Sequence, residues 1–279
     1  MSTSHIKPLT GYIGAEITGV DLKTPGESLK SDLRKWLDTH KVIVFRGQNL
    51  NIDQQLVITD LLGSPMQLPY IEPTPDNPDV IAVKKSAAEV GGGVFGGDWH
   101  SDFSFLSAPP AGSILNAVTI PETGGDTLWS NQVSVLNALP SSLRERMENS
   151  TAIHVGKPYG VRYAPAKSEQ MSDQSIKISR NDPAADKETR HPAVYENPRT
   201  GEKGLWVNPT YTVGFEDCSA EESKSILSEL YRYVTRPEFC CRLSWCAGDL
   251  VIWDNFTTLH YAVNDYDGYD RLLYRTTFR

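Results

Sequence analysis

Two residues in the stretch GGDWHSDFSFLSAPPAG, Gly96 to Gly112, could do chemistry together: His100 and Asp102, set two apart among glycines, aromatic residues and a proline pair. In a strand, residues i and i+2 project to the same face, so this pair is expected to point together from a strand into a barrel interior. A third donor, His260 in WDNFTTLHYAV, follows a strand and a short polar turn far downstream, a separation that only a folded sheet can close. Two imidazoles and one carboxylate on one face are the facial triad of non-haem Fe(II) enzymes, which leaves coordination positions open for other ligands. Alone, an H-x-D tripeptide is a weak signal, since it is more often a surface or hydrogen-bonded pair.

Arg271 and Arg275 in RLLYRTTFR strengthen the metal reading. Strand alternation puts both on one side, and a guanidinium presents a planar fork suited to bidentate carboxylate binding. The competing reading is a pair of surface arginines on an edge strand. Together these residues suggest a metal plus at least one carboxylate.

The elements that must position them are legible as patterns. SLKSDLRKWLDTH places Leu29, Leu33, Trp36 and Leu37 at helical spacing, KVIVFRG reads as a buried strand, and NIDQQLVITDLLG reads as a helix after a capping Asn. Short β runs follow (VIAVKK, AGSILNAVTIP, DTLWSN, TAIHV), separated by turn residues as in a barrel or sandwich rather than a parallel sheet. VSVLNALPSSLRERMEN is a helical pattern broken at Pro140, and SAEESKSILSELYRYVTR opens with a Ser219 to Glu222 capping box. RHPAVYENP and GLWVNPT pair as a hairpin, and FCCRLSW, LVIWDN and RLLYRTTFR supply further strands. No linker divides the chain, so one domain over residues 1–279 is expected, with a lid or excursion in the polar stretch around 156–189.

Composition excludes several functions. The net charge is −8 and no Lys/Arg run occurs, which argues against nucleic acid. No apolar run approaches a membrane span and the first residues lack a secretion pattern, so no membrane role and a cytoplasmic location are expected. Cys218, Cys240, Cys241 and Cys246 read as reduced, mostly buried thiols rather than a zinc site. His154 and His191 read as structural.

The segments GAEITGVDL, WHSDFSFLSAPPAG, PETGGDTLW, GLWVN, WDNFTTLHYAVNDY and RLLYRTTF resemble, in order and over nearly the whole chain, the taurine dioxygenase (TauD/TfdA) family of Fe(II)- and 2-oxoglutarate-dependent oxygenases. The resemblance implies an α+β fold, a double-stranded β-helix (jelly-roll) core flanked by helices. It implies that His100, Asp102 and His260 hold Fe(II), that Arg271 grips the distal carboxylate of 2-oxoglutarate with help from Thr127, and that Trp253 lines the cosubstrate pocket. Arg275 falls where the family meets the anionic head of the prime substrate. The implied reaction uses O2, decarboxylates 2-oxoglutarate to succinate and CO2, and hydroxylates a substrate C–H. Asp102, in place of Ala or Gly, argues against halogenation.

Positions that contact taurine in the namesake enzyme align with Leu68, Ile71 and Gly96, which remove its polar contacts. With Tyr70 and Phe95 they suggest a more apolar pocket. The flanks are similar to the aryloxyalkanoate (phenoxypropionate) branch, so the expected substrate is a small anionic organic acid such as an aryloxyalkanoate. A sulfonate, an alkyl sulfate, or desaturation or cyclisation of a biosynthetic acid are the alternatives. Outside this chemistry stand a non-catalytic jelly-roll anion binder and a zinc hydrolase, the latter leaving Arg271, Thr127 and Trp253 without a role. The glycine run VGGGVFGGDW is expected to order over bound substrate. The resemblance leaves open a homo-oligomer, dimer or tetramer.

Overall fold

The helical spacing of Leu29, Leu33, Trp36 and Leu37 is realised in the structure, a computed structural model that describes residues 4–163 and 175–279. Along the chain β1 (His5–Pro8) and β2 (Ala15–Thr18) precede α1 (Leu29–His40), β3 (Val42–Phe45), α2 (Ile52–Leu62) and β4 (Ile81–Lys85). Next come β5 (Gly112–Thr119), β6 (Thr127–Asn131), α3 (Gln132–Ala138), α4 (Ser141–Glu148), β7 (Thr151–His154) and β8 (Thr189–Pro192). Then β9 (Val194–Glu196), β10 (Lys203–Leu205), β11 (Thr212–Phe215), α5 (Ala220–Val234), β12 (Cys240–Leu243), β13 (Leu250–Asp254), β14 (Thr258–Ala262) and β15 (Arg271–Phe278) complete the order.

Seven strands form the large sheet, in the order β1-β2-β3-β13-β5-β15-β4, and β12-β6-β14 form a smaller one. Beyond the consecutive β1-β2-β3 run, neighbours in these two sheets are far apart in sequence, and all their pairings but β2 with β3 are antiparallel. This is the mixed α+β, jelly-roll architecture. α1 and α2 close the outer face of the large sheet, where Leu33, Trp36 and Ile58 pack on Ile43, Phe45 and Ile252. α3, α4 and α5 close the other side around Leu136, Met147 and Leu230. Between the sheets lies a core of Val44, Trp129, Val251, Trp253 and Leu273.

Local signals explain most boundaries. Asn51 and Ser219 each complete a reciprocal capping box, with Gln54 and Glu222, satisfying orphan amides at the starts of α2 and α5. Pro140 separates α3 from α4, and β9 pairs with β10 as the expected hairpin. β1, β2 and β11 are four residues each, too short for a period of two to mark them in the sequence. Among the cysteines, all free, only Cys241 is buried, and Cys246 is exposed, which corrects the expectation of mostly buried thiols. Of the 156–189 excursion, the described ends are packed rather than loose. Tyr159, Ile176 and Ala185 are buried, Ile178 bridges to Ile71, and Pro183–Asp186 form a 3-10 turn, while 164–174 lie outside the described residues. No helix among the described residues is long and apolar enough to cross a membrane.

Candidate metal centre and active site

His100 and His260 face each other through a single antiparallel bridge, the His100 amide donating to the His260 carbonyl at 3.1 Å and the reverse bond measuring 2.8 Å. The expectation of a strand carrying both His100 and Asp102 is corrected. After His100 the chain leaves the sheet and turns, with Phe103 at φ 46°. The reason is Asn255, whose side chain replaces the missing ladder. Its Oδ1 accepts from the Asp102 amide at 2.6 Å, and its Nδ2 donates to the carbonyls of Asp102 and Pro110 at 2.9 Å each. A positive φ at a bulky residue persists only where such contacts over-determine it. His260 follows β13 and the short polar turn at 255–257, as expected, and lies within β14.

The three side chains nonetheless converge. The Nε2 atoms of His100 and His260 lie 3.6 Å and 3.5 Å from Asp102 Oδ1, and one ligand atom from each residue falls within 4.8 Å of the others. Second contacts aim these donors. His100 Nδ1 is 2.7 Å from the Asp98 carbonyl, to which it donates, and this turns Nε2 towards Asp102 and His260. Asp102 Oδ2 accepts from Ser113 Oγ at 2.9 Å and from Arg275 Nη2 at 2.7 Å. Asp102 Oδ1 is buried with no hydrogen-bond partner among the described residues. A buried carboxylate oxygen without a partner is costly unless a cation takes it.

The electrostatics agree. Burial works to raise the Asp102 carboxyl, but Arg275, with His260 and His100, outweighs it and holds the group well below the usual carboxylate range. Burial and the neighbouring His100 push His260 well below its ordinary value, against the pull of Asp102, so its imidazole is neutral. An ionised carboxylate and neutral imidazoles are what a divalent metal requires. The donor set fits Fe(II), with His100, Asp102 and His260 as the residues that would hold it.

Gly96 explains part of the approach to this cluster. It has φ +80°, and a Cβ there would stand 3.3 Å from His100 Cε1, while its carbonyl accepts from the Ala262 amide at 2.8 Å. The glycine run is tied down in this structure, since Gly91 N donates to Asp267 and Asn264 Nδ2 donates to the Gly92 carbonyl.

The two arginines share one face of β15 but face different surroundings. Arg275 is buried and committed to Asp102 and Ser113, at 3.0 Å from the latter, and does not line the main cavity. Arg271 is buried near the other end of the strand, donating to the Gly125 carbonyl at 3.0 Å while its Nε has no hydrogen-bond partner among the described residues. Burial lowers its affinity for the proton, and Tyr266 and Asp126 offset part of that. Thr127, paired with Ala262 across β6 and β14, accepts from Trp245 Nε1 at 3.0 Å and so keeps its own proton to donate. Trp253 is fully buried, its ring 4.9 Å from His260 and 5.9 Å from Trp129, and it lines neither the main cavity nor the small one beside Arg271.

A cavity of about 480 Å³ opens beside His100 and Asp102. Phe95 and Gly96 line it, while Leu68, Tyr70 and Ile71 stand in the apolar cluster that backs it. Sequence reasoning missed Tyr159, Ile178, Arg180, Tyr211 and Tyr261 on its walls. The first three belong to the polar excursion, where no period marks them, and only the aromatic residue in NPTYTVG could have drawn notice.

Comparison with known proteins agrees with this geometry. Residues 5–277 match the family described as taurine catabolism dioxygenase TauD, TfdA. An alkylsulfatase of Acinetobacter baylyi is 37% identical, covering 98% of this chain and 84% of its own length. An alpha-ketoglutarate-dependent sulfate ester dioxygenase of Pseudomonas putida is 34% identical, covering 98% and 88%. The crystal structure of a taurine dioxygenase from Burkholderia xenovorans superposes with a TM-score of 0.80 at 31% identity, covering 99% of this chain and 89% of that one. An ordered triad, a buried arginine near it and likeness along almost the entire chain set aside the silent anion binder and the zinc hydrolase. The chain belongs to the TauD/TfdA family and is an Fe(II)- and 2-oxoglutarate-dependent dioxygenase.

Proposed function

We propose that the enzyme oxidises the carbon next to the ester oxygen of an alkyl sulfate. The observation that carries this reading is the aromatic-walled cavity beside His100 and Asp102, large enough for an extended apolar body. The names of the two relatives cited above support a sulfate ester head. Iron held by the triad would supply O2 activation coupled to decarboxylation of 2-oxoglutarate. The chain's own residues do the rest. Arg271 and the Thr127 hydroxyl hold the distal carboxylate of the cosubstrate, and Trp253 backs His260 and keeps its ring in place. Arg275 holds Asp102 and offers positive charge towards the substrate head.

Leu68, Ile71, Tyr70, Phe95 and Gly96 keep that pocket apolar, and Tyr159, Ile178 and Arg180, from the described ends of the excursion, wall it. A geminal hydroxy sulfate collapses to an aldehyde and inorganic sulfate, so each turnover converts one ester, one O2 and one 2-oxoglutarate into aldehyde, sulfate, succinate and CO2. The stacked tyrosines and phenylalanines favour a second reading, an aryloxyalkanoate, in which the same oxidation beside an ether oxygen releases a phenol. Acidic balance and free cysteines suit a cytoplasmic enzyme without a nucleic-acid partner.

A panel of alkyl sulfates, alkyl sulfonates and aryloxyalkanoates, read by succinate and by released sulfate or phenol, tests the choice. Sulfate release matched to succinate is the expected result. Phenol release without sulfate release moves the assignment to the second reading.

A further inference from the structure

Tyr159 and Tyr211 come from the two ends of a long separation in sequence, yet their hydroxyl oxygens stand 3.5 Å apart on the wall of the main cavity. Both residues are buried. A hydroxyl-to-hydroxyl bond is best at about 2.7–2.8 Å and is nearly lost at 3.5 Å, so the two barely satisfy each other. Neither has another hydrogen-bond partner among the described residues. Even a good mutual bond would use one proton of the two.

The spacing suits a third atom. One acceptor oxygen can stand about 2.8 Å from both hydroxyls at once when they are this far apart. The rings are held for it. Tyr159 stacks on Tyr70 at 4.9 Å and on Phe103 at 5.8 Å, and Tyr211 meets Phe105 at 5.0 Å and the edge of His100 at 6.3 Å. The Tyr211 amide donates to Asn208 Oδ1 at 2.8 Å, and Asn208 Nδ2 is anchored on Ser104 Oγ, which is anchored on His154. Burial pushes Tyr159 up to about 12 and Tyr211 well above the ordinary phenol value, so both remain donors at neutral pH. The charge of Arg275 reaches both phenols, and Arg180 lines the same cavity.

We propose that the Tyr159 and Tyr211 hydroxyls form a two-donor clamp on one oxygen of the substrate's oxyanion head. The clamp rests on the proposed function above and deepens it. It fixes the head relative to His100 and Asp102, and thereby selects which carbon is presented for oxidation. Two neutral donors next to a cation donate to a sulfate or a carboxylate oxygen alike, and they leave a wholly apolar ligand without a partner.

Tyr→Phe removes the oxygen and keeps the ring, which makes the test clean. The Fe(II)- and 2-oxoglutarate-loaded enzyme is titrated anaerobically, by calorimetry, with octyl sulfate and with 4-chlorophenoxyacetate, in the wild type, Tyr159→Phe, Tyr211→Phe and the double variant. Loss of a hydrogen bond to a charged group predicts a Kd about tenfold weaker or more for each hydroxyl. In air, the double variant releases less than one product per succinate, a change that altered folding stability alone does not produce. If the double variant melts early, the single variants decide. A double variant within twofold of wild type in both Kd and coupling overturns the clamp alone. A wild type that binds neither probe overturns the proposed function and the clamp together.

Discussion

At the residue scale the decisive feature is that Asp102 uses its two oxygens differently. Oδ2 is held by Ser113 and Arg275, and Oδ1 is left for the two imidazoles to share with a cation. Arg275 therefore has a structural duty as well as any duty to substrate. Removing one partner of a buried ion pair costs about 3–5 kcal/mol, because the other charge is stranded. For Arg275→Ala the expected outcome is a lower melting temperature together with weaker Fe(II) binding, measured by anaerobic metal titration. A variant that lost substrate turnover while keeping wild-type stability and metal affinity would show that the Asp102 contact is unimportant. The two histidines and the carboxylate that converge were legible as residue types at the right spacing. Their support was not, because Ser113 and Asn255 are ordinary polar residues until the fold brings them to Asp102.

At the element scale, α1 was readable from its periodicity, α2 from its capping Asn51, and α5 from both periodicity and its capping box. The strand carrying His100 and Asp102 was not there to be read. Asn255 supplies by side chain the hydrogen bonds that a neighbouring strand would have supplied, and no local pattern announces such a substitution. β2 and β11 also gain stability from partners distant in sequence, β3 and β7, which local propensity does not report.

Strand β7 carries a further consequence. His154 is fully buried, with Nδ1 2.9 Å from Ser104 Oγ. Burial, aided by His191, lowers its value from 6.5 to about 3. Above pH 6.5 the folded and unfolded chains both hold it neutral, and it contributes no pH dependence. As the pH falls from 6.5 towards 3 the unfolded chain takes up a proton that the folded one refuses, so stability declines by about 1.4 kcal/mol per pH unit. Urea midpoints across this range should fall more steeply for the wild type than for His154→Gln. Parallel slopes would contradict the burial of an uncharged imidazole.

At the scale of the whole molecule, the two sheets bring His100 and His260, far apart in sequence, into one bridge, and β15 lays Arg271 and Arg275 along one face behind it. The long polar excursion, unreadable by period, contributes Tyr159, Ile178 and Arg180 to the cavity. The fold was legible through the order of its motifs, and the cavity was not, because its walls are built from segments with no pattern of their own.

The most direct test of the central claim, that His100, Asp102 and His260 hold iron while 2-oxoglutarate binds beside it, is anaerobic mixing of the protein with Fe(II) and 2-oxoglutarate, followed by visible absorption. The account predicts the weak charge-transfer band of the chelate in the wild type and its loss in His100→Ala. A His100→Ala protein that still develops the band, or a wild type that never does, would contradict it.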